Sequence, residues 1–225
     1  MNKKSISIIV PVLNEEKIIE SFIKNLLVKS FYKNDIIVVD GGSRDSTTNI
    51  LKKFSELRIF KSKKGRATQM NYGALKAKNE ILYFLHCDSI PPKNFDQIIF
   101  NQYKEGKEMG CFRMLFKGSH IFLKFSSFFT RFNYKICRGG DQSLYISKNL
   151  FKSLKGYNEK YTYCEDMEFI DRLYSYGKFN VIQQDIITSN RRFIENGTIK
   201  LQFHFGVIHT LRLFGYSAFK IKSYY

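Results

Sequence analysis

Three apolar runs in this chain end in carboxylates: ISIIVPVLNEE (residues 6–16), DIIVVDGGSRD (35–45) and ILYFLHCD (81–88). A buried parallel strand reads as a short apolar run, and the C-terminal ends of such strands open onto the ligand crevice of an α/β sheet. Glu15, Asp40 and Asp88 at three such ends imply one pocket that holds something positive or hydrogen-bond-donating. A divalent cation carrying a nucleotide diphosphate, with a base or ribose beside it, has that character.

Each acid has its own chemistry and its own plain structural alternative. Pro11 interrupts the end of the first run, where the chain has to turn over a ligand, and Asn14 or Glu15 is placed to cap the next helix. Asp40 can accept from a base N–H or from ribose hydroxyls, and Gly41 and Gly42 let backbone approach a ligand closely. Asp45, in Ser-Arg-Asp-Ser, reads as an ordinary helix start. Asp88 is the hard-oxygen ligand that Mg²⁺ or Mn²⁺ takes alongside substrate phosphates. His86 faces either the ribose or the metal, or is simply packed. Glu165 and Asp166 open a helix, where the dipole favours acids. The same dipole keeps a carboxylate ionised, as a general base needs.

The elements that must position these groups follow from periodicity. Strands are expected at residues 5–12, 35–39, 57–61 and 80–85. Helices are expected at 15–29 (Ile18, Ile19, Phe22, Ile23, Leu26 and Leu27 on one face), for about three turns from Ser46, and at 65–78. The resulting β-α-β-α-β-α-β order is the skeleton of a nucleotide-binding half-sheet. Beyond Pro91-Pro92 the pattern predicts a helix at 94–105, strands at 109–116, 142–147 and 179–183, and a helix at 165–176 stopped by Gly177. Residues 118–138 form an aromatic, basic stretch without an acid, and the chain from Asn196 onward reads as helical and aromatic-rich.

Composition narrows the field. A chain of 225 residues with 44% hydrophobic content can build one full α/β core and is not disordered. Its net charge of +17 favours polyanions, anionic membranes or phosphorylated substrates. The four cysteines have no C-x-x-C spacing, which argues against structural zinc and for a reducing, cytosolic setting. The longest uncharged run, residues 201–211, is far short of the ~20 residues that a spanning helix needs, so any membrane contact is expected to be peripheral. The N-terminus has no apolar signal region.

The motifs IIVPVLNEE, VVDGGSRDST, Gly65-Arg66 with Asn71, Gly73 and Ala74, FLHCDS, GGDQSLYISKNLFKSLKGYNE and CEDMEF stand in the order of a known family. Over roughly residues 5–192 the chain resembles family 2 glycosyltransferases of the GT-A fold. Leu-His-x-Asp and Arg191-Arg192-Phe193 look like the bacterial subgroup labelled selenodomain-associated transferases. The resemblance implies a Rossmann-like, mostly parallel sheet flanked by helices. It implies a single domain: residues 1–92 bind the nucleotide, 93–190 carry acceptor and catalytic groups, and 191–225 form a helical tail suited to a membrane surface. It also implies an inverting, metal-dependent transfer from a UDP- or GDP-sugar to a hydroxyl acceptor.

Carried over residue by residue, Pro11, Glu15 and Asp40 line the base and ribose, while Arg66 and Asn71 lie near the nucleotide or its phosphates. Asp88 matches the last acid of the family's D-x-D element, with His86 where its first acid would be. Asp166, the second acid of the Glu165-Asp166 pair, matches the base. Arg191 and Arg192 could add positive charge near the diphosphate, since a guanidinium forks onto phosphate oxygens.

Two other classes compete. A nucleotidyltransferase would need a Gly-rich phosphate loop after the first strand, where this chain has carboxylates that repel a triphosphate. A non-catalytic basic module would bind nucleic acid or membranes and give Asp88 and Asp166 no role; nucleic acid is not the expected partner. In residues 112–134 aromatics alternate with Arg113, Lys117, Lys124 and Arg131, and the tail carries Lys200, Arg212, Lys220 and Lys222. If these segments lie on a membrane, the acceptor is a lipid or lipid-linked molecule and the protein works at the membrane's inner face.

Overall fold

The computed structural model describes residues 4–116, 121–161 and 164–190, together with 206, 207 and 210 of the C-terminal segment. The strands are β1 (Ser7–Val12), β2 (Asp35–Asp40), β3 (Leu57–Lys61), β4 (Ile81–Phe84), β5 (Ser89–Ile90), β6 (Met109–Phe116), β7 (Leu144–Ser147) and β8 (Asn180–Thr188). The helices are α1 (Ile19–Lys29), α2 (Thr47–Leu51), α3 (Arg66–Lys76), α4 (Phe95–Lys104), α5 (Ile121–Phe129), α6 (Lys148–Ser153) and α7 (Glu165–Tyr176).

The strands make one sheet in the order β3-β2-β1-β4-β7-β6-β8-β5. Strands β1 to β4 pair in parallel, as the half-sheet pattern predicts. β7 is antiparallel to both β4 and β6, and β5 is antiparallel to β8, so the remaining six strands share one direction.

Every residue of β1 is buried because the strand is central and covered on both faces. Side chains alternate across a strand. Ile8, Val10 and Val12 therefore meet Ile19, Phe22, Ile23 and Leu26 of α1 in one core. Ile9 meets Ala67, Met70 and Ala74 of α3 in the other. Pro11 fits inside this strand for a geometric reason. The Ile9 carbonyl accepts from Leu85 on the β4 side, and strand alternation turns the Pro11 nitrogen to that same side. The last β4 pair there is Ile9↔Phe84, so no ladder bond is lost.

The site depends on strand direction. β7 runs against β4 with Phe84 opposite Leu144. Residues 139–143, which lead into β7, therefore arrive at the edge where β4 delivers His86 and Asp88. The end of β8 is tied there too, by Ser189 N–H donating to the Asp88 carbonyl.

Several expectations change. The helix after Ser46 is a short α2 rather than three turns, since the chain must straighten into β3 by Leu57. The last strand extends to Thr188. Polar Gln183 and Gln184 mask its second half because they sit in a register shift between Phe112↔Ile182 and Arg113↔Asp185. Gly177 does close α7, but with φ of 179° it is extended backbone that needs no glycine. The expected helical tail, with Arg191 and Arg192, lies outside the described residues apart from helical positions 206, 207 and 210.

Gly73 lets α3 lie against the sheet. A Cβ there would overlap the Ile9 side chain and come within 3.3 Å of Val39 Cγ2. Both neighbours are β-branched and fully buried, so neither can yield. Ala gains about 1 kcal/mol of helix propensity over Gly, but overpacking costs about 1–3 kcal/mol. We expect Gly73→Ala to be destabilising, by up to about 2 kcal/mol in urea denaturation. An increase in stability would show that α3 is not packed this closely.

Candidate active site

The loops after β1 and β2 are laced together. Asn14 N–H donates to Ser43 Oγ and Arg44 N–H donates to Asn14 Oδ1. Glu15 N–H donates to Thr47 Oγ1, and Glu16 N–H to the Asp45 carboxylate. Ser46 N–H returns a bond to Glu16. Asp45 is thus structural, as read from sequence. The cap position of α1 is Ile18, without a side-chain bond; the Glu15 carbonyl accepts from Ile18 and Ile19 N–H at the helix start, and Asn14 (φ 55°) serves the neighbouring loop.

Asp40 is 3% exposed, and its carboxylate accepts from Gly42 N–H, Ser43 N–H and Ser43 Oγ. It shapes the turn that carries Gly42 at φ 96°. Beneath it, Gln69 of α3 donates to the Val12 and Val39 carbonyls, both at 2.8 Å. This buried amide pins the ends of β1 and β2, and no sequence signal separated it from an ordinary helix residue. Gly41 leaves room for it, since a Cβ there would lie 3.0 Å from Gln69 Oε1.

The acids meet at Arg66, the first residue of α3. Its guanidinium stands 3.6 Å from Glu165 and 4.0 Å from Asp166, both on the first turn of α7. Burial pulls the Arg66 pKa down, while Asp166, Glu165, Asp141 and Asp88 push it up, and the acids prevail. Asp88 and Asp166, far apart in sequence, therefore act on the same cation. Asp141 is the member that sequence reading passed over. It follows Gly139-Gly140, just ahead of the strand expected at 142–147.

Gly140 is there because Asp166 is. A Cβ at residue 140 would overlap the Asp166 carboxylate. Asp166 and His86 border one cavity with Arg138, Gly140, Tyr157 and Phe169. Arg138 is 2% exposed and fixes the approach to this loop. It donates to the Thr130 and Phe132 carbonyls, to Gln142 Oε1 and to Cys111 Sγ. Burial, with Asp166 and Glu165 nearby, raises the Tyr157 hydroxyl pKa well above its usual value, so it stays protonated beneath the acids.

Asn71, expected near the nucleotide or its phosphates, also holds the turn before Tyr157. Its Nδ2 donates to the Tyr157 carbonyl and the Glu159 carboxylate, and its Oδ1 accepts from Tyr157 N–H, each at 2.9 Å. From the other side, Arg172 of α7 donates to the Leu154 and Gly156 carbonyls and pairs with Glu168. Together they clamp a turn in which Lys155 (φ 60°) and Gly156 (φ 62°) are both left-handed. That clamp holds Tyr157 in place.

Among the described residues, no three His, Cys, Asp or Glu side chains gather closely enough to hold a metal ion alone. Carboxylate oxygens of Glu165 and Asp166 do lie within 4.0 Å of Arg66, and the charges of Asp141 and Asp88 act on it. Mg²⁺ and Mn²⁺ are usually held by one or two carboxylates with substrate phosphates supplying the rest, a demand that does not require three side chains to gather.

The glycosyl transferase family 2 profile matches residues 7–163. The chain is 25% identical over 199 residues to the probable glycosyltransferase YdaM of Bacillus subtilis, covering 76% of this chain and 47% of YdaM. It thus spans about half of that relative's length. Among solved structures it resembles Staphylococcus aureus TarS (residues 1–349) in complex with UDP: TM-score 0.69, 17% identity, 92% of this chain and 65% of that one. It also resembles the mannosyltransferase PcManGT of Pyrobaculum calidifontis in complex with GDP-Man and Mn²⁺: TM-score 0.64, 17% identity, 81% and 56% coverage. These likenesses establish the GT-A fold.

The clamp makes a distinguishing prediction. Asn71→Ala leaves Tyr157 N–H without its partner and should lower stability by about 2 kcal/mol in urea denaturation. Unchanged stability with weakened nucleotide binding would instead return Asn71 to the nucleotide.

Proposed function

The chain belongs to glycosyl transferase family 2, and from that premise we propose an inverting transfer of a sugar from a nucleotide-diphosphate donor to a hydroxyl acceptor. The observation that carries this reading is Arg66 standing within 4.0 Å of both Glu165 and Asp166, with the charges of Asp141 and Asp88 also acting on it. A cleft of acids at the C-terminal edge of a parallel sheet suits a cation-bound diphosphate with a base beside it.

In this reading the base and ribose lie over the joined loops after β1 and β2, at Pro11, Glu15 and Asp40. The Asp40 side chain acts there through the turn it holds, which presents Gly41 and Gly42 backbone. Asp88 is the carboxylate for Mg²⁺ or Mn²⁺, and the bound ion would offset the charge growing on the departing diphosphate. His86, on the same cavity as Asp166, contacts the donor's ribose or sugar. Arg191 and Arg192 would add charge near the diphosphate.

Asp166 takes the proton of the acceptor hydroxyl as that oxygen bonds to the anomeric carbon. The bond to the diphosphate breaks on the opposite face, which inverts the centre. Glu165 is almost fully buried and close to Arg66, so it orients the guanidinium rather than meeting substrate. Gly140 keeps the loop clear of the Asp166 carboxylate.

UDP or GDP with Mn²⁺ should raise the melting temperature, and Asp88→Ala should remove the metal-dependent part of that rise. Asp166→Asn should lower kcat by about 10²–10⁴ while leaving nucleotide binding intact. The product should carry the anomeric configuration opposite to the donor's, as read by NMR. Retained turnover in Asp166→Asn, or a product of unchanged configuration, would remove Asp166 as the base of an inverting reaction.

A further inference from the structure

Among the described residues, helix α5 is covered on only one side. Leu123, 1% exposed, packs with Phe116 and Met114. Ile121, Phe125, Phe128, Phe129 and Phe132 face outward and are 74%, 65%, 46%, 40% and 41% exposed. Their spacing makes one helical stripe. Their rings touch one another, Phe125 to Phe129 at 4.9 Å and Phe128 to Phe132 at 5.8 Å. Aromatics at helical spacing usually mark a core; here they form a surface, and a contiguous apolar surface marks an interaction site.

Charge selects the occupant. Lys124 and Arg131 are exposed beside the stripe, and the Arg131 guanidinium lies 3.9 Å over the Phe128 ring. No Asp or Glu occurs between Glu108 and Asp141, and the whole chain carries +17. A second copy would bring like charges together. An anionic lipid surface satisfies the rings and the cations at once. Among the described residues no helix is long and apolar enough to cross a membrane, so contact through α5 is interfacial.

We propose that the exposed face of α5 docks this protein on an anionic phospholipid bilayer. The surface adjoins the catalytic groups. The Thr130 and Phe132 carbonyls, at the end of the stripe, accept from Arg138, which borders the cavity of Asp166. If the transfer reading also holds, an acceptor hydroxyl reaching Asp166 comes from the membrane plane, on a lipid or lipid-linked molecule.

The test is flotation of the full chain with phosphatidylcholine vesicles, with and without phosphatidylglycerol. We expect binding to the anionic vesicles only, weakening as salt rises. Phe125→Ser/Phe128→Ser and Lys124→Glu/Arg131→Glu should each weaken it by about tenfold or more. Both pairs should keep the wild-type melting temperature and nucleotide binding, so a failure of docking stays separate from a failure of the transferase reading. Three results would each overturn the proposal: no binding to anionic vesicles at low salt, binding unchanged in both variants, or a dimer in light scattering that the Phe pair abolishes.

Discussion

Arg66 pairs with Glu165 and Asp166 at the edge of this sheet, in the field of Asp141 and Asp88, and the rest of the structure serves that arrangement. Like charges resist being brought together, and the chain has only 20 acids against 37 Lys and Arg. Holding Glu165 and Asp166 side by side against Arg66, with Asp88 and Asp141 close enough to act on it, therefore needs a scaffold that cannot relax. The sheet supplies Asp88 at the end of β4 and brings the Asp141 loop beside it by running β7 in reverse. Helices α3 and α7 face each other with their first turns, so Arg66 meets Glu165 and Asp166 directly.

Polar clamps between elements hold this geometry. Gln69 fastens β1 to β2 from below, and Asn71 and Arg172 grip one turn from two helices. Arg138 binds the strand, the α5 end and the loop before β7 together. A buried donor or acceptor left unmatched costs more than a matched one gains, so such clamps specify position more than they add stability. Gly73 and Gly140 do the complementary job of leaving space where backbone must approach Ile9 or Asp166. The α5 stripe links this scaffold to a surface, since Arg138 touches both.

Much of this was legible in the residues. The first half-sheet, β6 and α7 follow from apolar periodicity, because those segments are long, regular and buried on a clear face. Asp88, Glu165 and Asp166 were legible as candidates because acids end several apolar strands and open one helix, although turns and helix dipoles use acids there too. Asp141 was hidden by the two glycines before it, and Gln69 and Arg172 by helices in which any polar residue reads as solvent-facing. The hydrogen bonds of Asn71 to Tyr157 were hidden because a motif gives a residue's neighbourhood and not its partners. The direction of β7 has no local signature at all, and α5 gave a pattern equally fit for a core. Only packing shows which of its faces is covered.

The account stands on these acids sharing one bound molecule. The most direct measurement is a crystal structure grown with UDP or GDP and Mn²⁺, with the ion located by its anomalous scattering. The account predicts an anomalous peak against the Asp88 carboxylate, with the diphosphate in the cleft that Arg66 and Asp166 border. A nucleotide bound elsewhere, or a metal peak remote from Asp88, would contradict it.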